Sequence, residues 1–245
     1  MRIGGRLVER YGLALLLLVV ALVYSIAVPE GDWERLVAMA LQGTALFATL
    51  SAAEAGGRIL RFFLAILLVA LIAAVLQAGL SVGDGVAFVR VCVLAILLLA
   101  LPLVGSGLIR QVRFERKITV HTMMGVLCAY LLLLSAFAYA YAVLGELGSE
   151  PFFDQGPQWN DLGDYVYFSV TTITTVGMGD LTPSGDLGRS LTAAEALIGQ
   201  IYMVTVVAVI VSNLGRSEPR RKASDTASPP ADRDTDAKSE SGSDG

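Results

Sequence analysis

The sequence is poor in the residues that most chemistry needs. Its 245 residues include one histidine and two cysteines, and only 16% are charged. Cys92 and Cys128 sit in apolar runs without metal-ligand spacing, so they read as small hydrophobes rather than as a disulfide or a metal site. There is no nucleotide motif, metal cluster or nucleophile–base arrangement, which argues against an enzyme or pump and against a cofactor. No basic face stands clear of the apolar runs, which argues against a nucleic-acid partner. Soluble domains carry about 25% charge and about 45–50% apolar residues. This chain is 55% hydrophobic with a mean hydropathy of +0.66, so the lipid bilayer is its expected surrounding.

Uncharged apolar runs recur at Tyr11–Val28, Leu36–Ala53, Phe62–Val82, Val91–Ile109, Ile118–Gly145 and Ala196–Leu214. Each is near or above the roughly 20 residues that a helix needs to cross the hydrocarbon core. A barrel would instead show short alternating segments. The expected fold is an all-α membrane protein with six transmembrane helices. The second span is the most polar, with Gln42, Thr44, Thr49 and Ser51, and the sixth is expected to begin earlier, near Ser190. Arg2, Arg6 and Arg10, then Arg58 and Arg61, then Arg110, Arg113, Arg116 and Lys117, then Arg216, Arg220, Arg221 and Lys222 all fall on one side. The other side holds Arg35, Arg90 and Arg189 among many acids, including Glu30, Asp84, Glu146, Asp161 and Asp180. By the positive-inside rule both termini are cytoplasmic, in a plasma (inner) membrane. The start also resembles a signal peptide ending at Ser25-Ile-Ala27, but its apolar run exceeds the usual length of about 7–15 residues, so we read it as a span.

The expected organisation is a four-helix peripheral domain over 1–117, a pore domain over 118–215 and a disordered cytoplasmic tail over 216–245. The tail is rich in Ser, Asp, Ala and Pro without aromatics, and no partner for it is legible.

The connection from about Glu146 to Arg189 carries the chemistry. Asn160 or Asp161 is placed to N-cap a short helix, with Asp164 near the positive end of its dipole. Thr174-Thr-Val-Gly-Met-Gly-Asp180 follows. This segment is too polar and short to span a bilayer, and a re-entrant loop is tolerated only where protein or a water-filled path surrounds it. Gly177 and Gly179 permit backbone conformations forbidden to other residues. With Thr175 and Val176, such a stretch turns successive carbonyls toward one axis, where a ring of them replaces the hydration shell of a cation. The Thr175 hydroxyl adds a further ring, and Asp180 stands outside to attract cations.

Thr174–Asp180 resembles the threonine-valine-glycine-tyrosine-glycine-aspartate filter of the potassium channels, except at Met178. Tyr165–Thr175 resembles their aromatic-rich pore helix, and Gly188-Arg189 with Gly199-Gln-Ile-Tyr202 the start and hinge of their inner helix. The resemblance covers about Ile118–Leu214 and implies a homotetramer, because four chains each supply one filter strand. It implies potassium, as the permeant ion, held at Thr175, Val176, Gly177 and Met178, with Gly179 completing the filter. It implies that Gln200, Met203, Val207 and Val211 face the pore. In the family a tyrosine stands where Met178 is, and its hydroxyl bonds to pore-helix aromatics. Here Tyr167 and Phe168 occupy those aromatic positions, and the expected cuff is hydrophobic packing.

Among single residues, Glu195 is the one acid inside the last helix, expected to bond behind the filter to Thr171 or Thr174, or else to reach water. Gly199 reads as a hinge or as a close-packing site. Tyr11, Tyr141 and Trp159 fit interfacial anchors. Arg110, Arg113 and Arg116 read as flanking charge on a linker. Between Arg90 and Arg110 the fourth span has no charge over about 30 Å, the thickness of the hydrocarbon core, so weak voltage dependence is expected. The expected function is a potassium-selective channel. Two alternatives stay open: a weakly selective cation channel, because of Met178, and a non-conducting membrane sensor or assembly subunit.

Overall fold

The structure is a computed structural model that describes residues 2–28, 31–53, 65, 85–115 and 120–214. The expected third span Phe62–Val82, Ala65 apart, and the 216–245 tail lie outside the described residues. Among the described residues, Ala65 apart, six helices are seen: α1 (Arg2–Ala27), α2 (Asp32–Ala52), α3 (Gly85–Glu115), α4 (Val120–Leu147), α5 (Leu162–Ile173) and α6 (Asp186–Leu214). Among the described residues no strand is paired into a sheet, and there is one isolated antiparallel bridge, between Phe153 and Pro183.

The chain is a multi-pass membrane protein. Trp33–Ala52, Ala87–Ile109, Thr122–Leu147 and Asp186–Val209 are long and apolar enough to cross a bilayer, and the apolar part of α1, Tyr11–Ala27, is shorter. α3 is longer at both ends than its apolar run and carries Pro102 inside it. Membrane helices tolerate such a proline, because neighbouring groups re-satisfy the freed backbone.

Lipid gives apolar helices little reason to associate, so packing of small residues and hydrogen bonds between helices must hold them. α4 is built that way. Ala129, Ala136, Ala138 and Ala142 are buried along it, beside Leu132, Leu134 and Tyr139. α3 runs against α4, and α1 packs on α2, α4 and α5. Tyr11 is buried in that α1 contact, which corrects its expected role as an interfacial anchor. Aromatic rings at membrane interfaces need one wet end, and this ring has none.

α6 is different. Among the described helices it packs only on α4 and α5, and Leu197, Ile201, Val204, Met203, Val207 and Val211 of its other faces are exposed on the single chain.

Candidate ion-conducting site

The site is built on α5, a helix of twelve residues. Asp161 is its N-cap, and the Asp164 carboxylate accepts a hydrogen bond from the Asp161 N–H at 3.1 Å. Asn160 accepts instead from the Tyr165 hydroxyl. The helix buries one stripe, Tyr165, Phe168, Ser169 and Thr172, at the spacing that puts side chains on one face. Behind this stripe Phe152 of the preceding loop meets Tyr141 of α4, and Phe153 meets Phe152, Tyr165 and Phe168. Phe153 stacks on Tyr165 at 5.3 Å, and Tyr141 meets Phe168 edge-on at 5.2 Å. Edge-to-face and offset pairs at these distances are the favoured aromatic arrangements. Tyr141 is therefore at the centre of the cluster, which corrects its expected interfacial role.

The two limbs of the loop are fastened together outside the cluster. Asp154 N–H donates to the Thr182 carbonyl and Ser184 N–H to that of Phe152, both at 2.9 Å. At the C-terminal end of α4, Glu146 pairs with Arg90 of α3 at 2.9 Å, and the Arg90 guanidinium lies 6.0 Å from the Tyr165 ring centre.

After α5 the backbone leaves helical geometry in a regular way. φ is +61° at Thr175, +52° at Gly177 and +78° at Gly179. A left-handed conformation at every second residue departs from the usual strand pattern, in which successive carbonyls point to opposite sides. For threonine that conformation costs on the order of 1–2 kcal/mol, and strain of this kind persists only where the surroundings fix it. Here the Thr175 N–H donates to the Thr172 carbonyl and the Gly177 N–H to the Thr171 carbonyl, both at 2.9 Å. Val176 and Met178 are 61% and 67% exposed, and a Cβ added at Gly177 or Gly179 would meet no atom within 4 Å.

The structure places the expected site residues as follows. Asp180 closes the strand and accepts a hydrogen bond from the Tyr167 hydroxyl at 2.8 Å. The expected cuff of hydrophobic packing is corrected here: Tyr167 uses its polar end, while Phe168 points to the aromatic cluster. The Thr171 hydroxyl donates to the Phe168 carbonyl at 3.0 Å and that of Thr174 to Val170 at 2.6 Å, both within their own turn. Neither reaches Glu195. That carboxyl is fully buried and meets the hydroxyls of Ser169 and Tyr141. The expected partners are corrected because Thr171 is two residues beyond Ser169, about 200° around the helix. Sequence reasoning missed Ser169 and Tyr141; the available signal was a lone serine within the apolar stripe of α5.

Gly199 sits against the end of α5, where an added Cβ would lie 2.5 Å from the Ile173 carbonyl oxygen. That carbonyl accepts from the Tyr130 hydroxyl at 3.1 Å. Gln200, Met203, Val207 and Val211 are exposed on the single chain.

A short helix returning into a strained, glycine-bearing segment between two long apolar helices is an arrangement suited to the pore segment of a membrane ion channel. Residues 126–216 match the family model described as "Ion channel". The chain is 33% identical over 113 residues to "Two pore potassium channel a" of Oryza sativa subsp. japonica, covering 46% of this chain and 29% of the relative. It is 36% identical over 84 residues to "Protein LctB" of Bacillus caldotenax, covering 32% and 61%. It is 30% identical over 87 residues to "Inward rectifier potassium channel Kirbac3.1" of Paramagnetospirillum magnetotacticum, covering 36% and 28%. The matched part thus spans about three fifths of LctB and under a third of the other two. The chain is thus similar, over less than half of its length, to an ion channel family model and to potassium channels.

Proposed function

We propose that four copies of this chain assemble a pore through which potassium passes down its electrochemical gradient. The observation that carries this reading is the alternation of left-handed residues at 175, 177 and 179, pinned to α5 by the Gly177–Thr171 hydrogen bond. Backbone carbonyls turned to one side replace ion hydration, and no side-chain ligand is needed. One strand covers one side of an ion, which is why four chains are required. The exposure of Val176 and Met178 and the bare apolar faces of α6 on the single chain support such an assembly.

In this reading residues 118–215 form the pore domain, with ions held at Thr175, Val176, Gly177 and Met178, and residues 1–117 form the peripheral domain. Six crossings put both termini in the cytoplasm and the acidic loop of Asp161, Asp164 and Asp180 outside, where it concentrates cations. Gln200, Met203, Val207 and Val211 line the inner path, and Gly199 serves close packing whether or not it also bends.

A second reading, a weakly selective cation channel, is favoured by Met178. Its side chain is exposed and flexible, and it has no donor with which to brace the strand. Purified protein in planar bilayers, with potassium on one side and sodium on the other, tests both. A reversal potential toward the potassium equilibrium value supports the first. A reversal near zero moves the reading to the second, and no current at all removes both.

A further inference from the structure

Glu195 is a fully buried carboxyl of the last helix, and ion conduction through the strand does not use it. Its two carboxyl oxygens have separate partners on separate helices: Oε1 meets Ser169 Oγ of α5, and Oε2 meets the Tyr141 hydroxyl of α4. Ser169 Oγ lies in turn 3.0 Å from the Leu134 carbonyl oxygen of α4. Among the described residues no Lys or Arg pairs with Glu195.

The hydrogens can be counted. A serine hydroxyl has one proton to give, and here two acceptors stand within its reach. If Glu195 is ionised, Ser169 gives that proton to Oε1, and the approach to the Leu134 carbonyl is left as two oxygens facing without hydrogen. If Glu195 carries a proton on Oε1, it donates to Ser169 Oγ, Ser169 donates to Leu134, and Tyr141 donates to Oε2. Only the second arrangement places one hydrogen in each of the three contacts. It also avoids an uncompensated charge in a site closed to water, which costs several kcal/mol.

We propose that Glu195 is a neutral carboxylic acid that donates to Ser169 and so positions the pore helix beneath the filter strand. The mechanical path is short. Ser169 precedes by two residues Thr171, whose carbonyl holds the Gly177 N–H. The inner helix thereby sets the depth of α5, and α5 sets the register of the strand. Glu195 is a positioning residue: it acts through Ser169 and touches no ion. The claim about the filter rests on the channel reading above; the claim about the proton does not.

The full chain is reconstituted in liposomes as parent, Glu195→Gln, Glu195→Ala and Ser169→Ala. Glutamine offers an N–H where the acid offers O–H and keeps the carbonyl for Tyr141. Two readouts are taken. Infrared difference spectra of parent against Glu195→Gln should show the carbonyl stretch of a neutral carboxyl in the parent only, shifting in heavy water. Potassium-over-sodium permeability should match the parent in Glu195→Gln. It should fall about tenfold in Glu195→Ala, the effect of one lost buried hydrogen bond, and in the same direction in Ser169→Ala. A carboxylate signature in place of the neutral band overturns the proton assignment. A Glu195→Gln variant that loses selectivity as Glu195→Ala does overturns the positioning role. The infrared comparison is read whether or not the parent conducts, so a failure of the channel reading is distinct from a failure of this one.

Discussion

Replacing Gly199 by alanine measures how closely α6 sits on α5. A Cβ there would lie 2.5 Å from the Ile173 carbonyl oxygen and 2.7 Å from Ile173 Cγ1, whereas real Cβ contacts essentially never fall under 3.0 Å. The nearer obstacle is backbone, so a rotamer change does not relieve it, and α6 must back away from α5. Overpacking of this kind costs about 1–3 kcal/mol. In a chain of this size each kcal/mol lowers Tm by about 2–4 °C, which gives a fall of roughly 2–12 °C. Glycine to alanine also gains up to about 1 kcal/mol in a helix interior, and Gly105 of α3 isolates that term. A Cβ at Gly105 would meet no atom within 4 Å, so Gly105→Ala should melt at or above the parent. Thermal unfolding of the three proteins in one detergent provides the comparison. Glu195 is one turn before Gly199, so backing away also stretches its bond to Ser169, and potassium flux should fall in Gly199→Ala alone. If Gly199→Ala melts with Gly105→Ala at or above the parent, the close packing of α6 on α5 is refuted.

Gly177→Ala should abolish current while the protein still assembles, because φ there is +52° and alanine pays about 1–2 kcal/mol in each subunit to adopt it; selective current in the variant counts against the strand as filter. Tyr167→Phe removes the hydrogen bond to Asp180 and should move the reversal potential toward zero. In the parent the bond to Asp180 holds the Tyr167 phenol above its ordinary pKa. The protonated form is the favoured one, so the tether is intact below the unperturbed value of about 10 and is lost as pH rises through the raised value. Selectivity should therefore decline in the parent only at such alkaline pH, and a decline near neutrality would refute the tether. Open probability should change only shallowly with voltage. Arg90, a charge near the N-terminal end of α3, is 5% exposed and bonded to Glu146, so it is not free to cross a field in which a full charge is worth about 2.3 kcal/mol per 100 mV. A steep conductance–voltage curve in single-channel recordings would show otherwise.

The sequence alone determined the features that depend on local pattern. Uninterrupted apolar runs mark helices because an apolar membrane segment must satisfy its backbone within itself, and four of the expected spans coincide with helices long enough to cross. The short capped helix was legible from Asp161 and Asp164, and the irregular strand from Gly177 and Gly179, because caps and left-handed backbone are dictated by neighbouring residues. Thr175 shows where that ends: nothing in a threonine announces φ of +61°, and the hydrogen bonds to Thr171 and Thr172 impose it. The partners of polar side chains were decided by tertiary structure. Tyr167 and Asp180 are thirteen positions apart, Ser169 and Glu195 twenty-six, and Tyr141 and Glu195 fifty-four. Such pairs depend on how each helix is rotated about its own axis and how deeply it sits against its neighbour. Thr171 and Ser169 lie about 200° apart around the helix, and only the packing of α4, α5 and α6 around the aromatic cluster decides which of them faces Glu195.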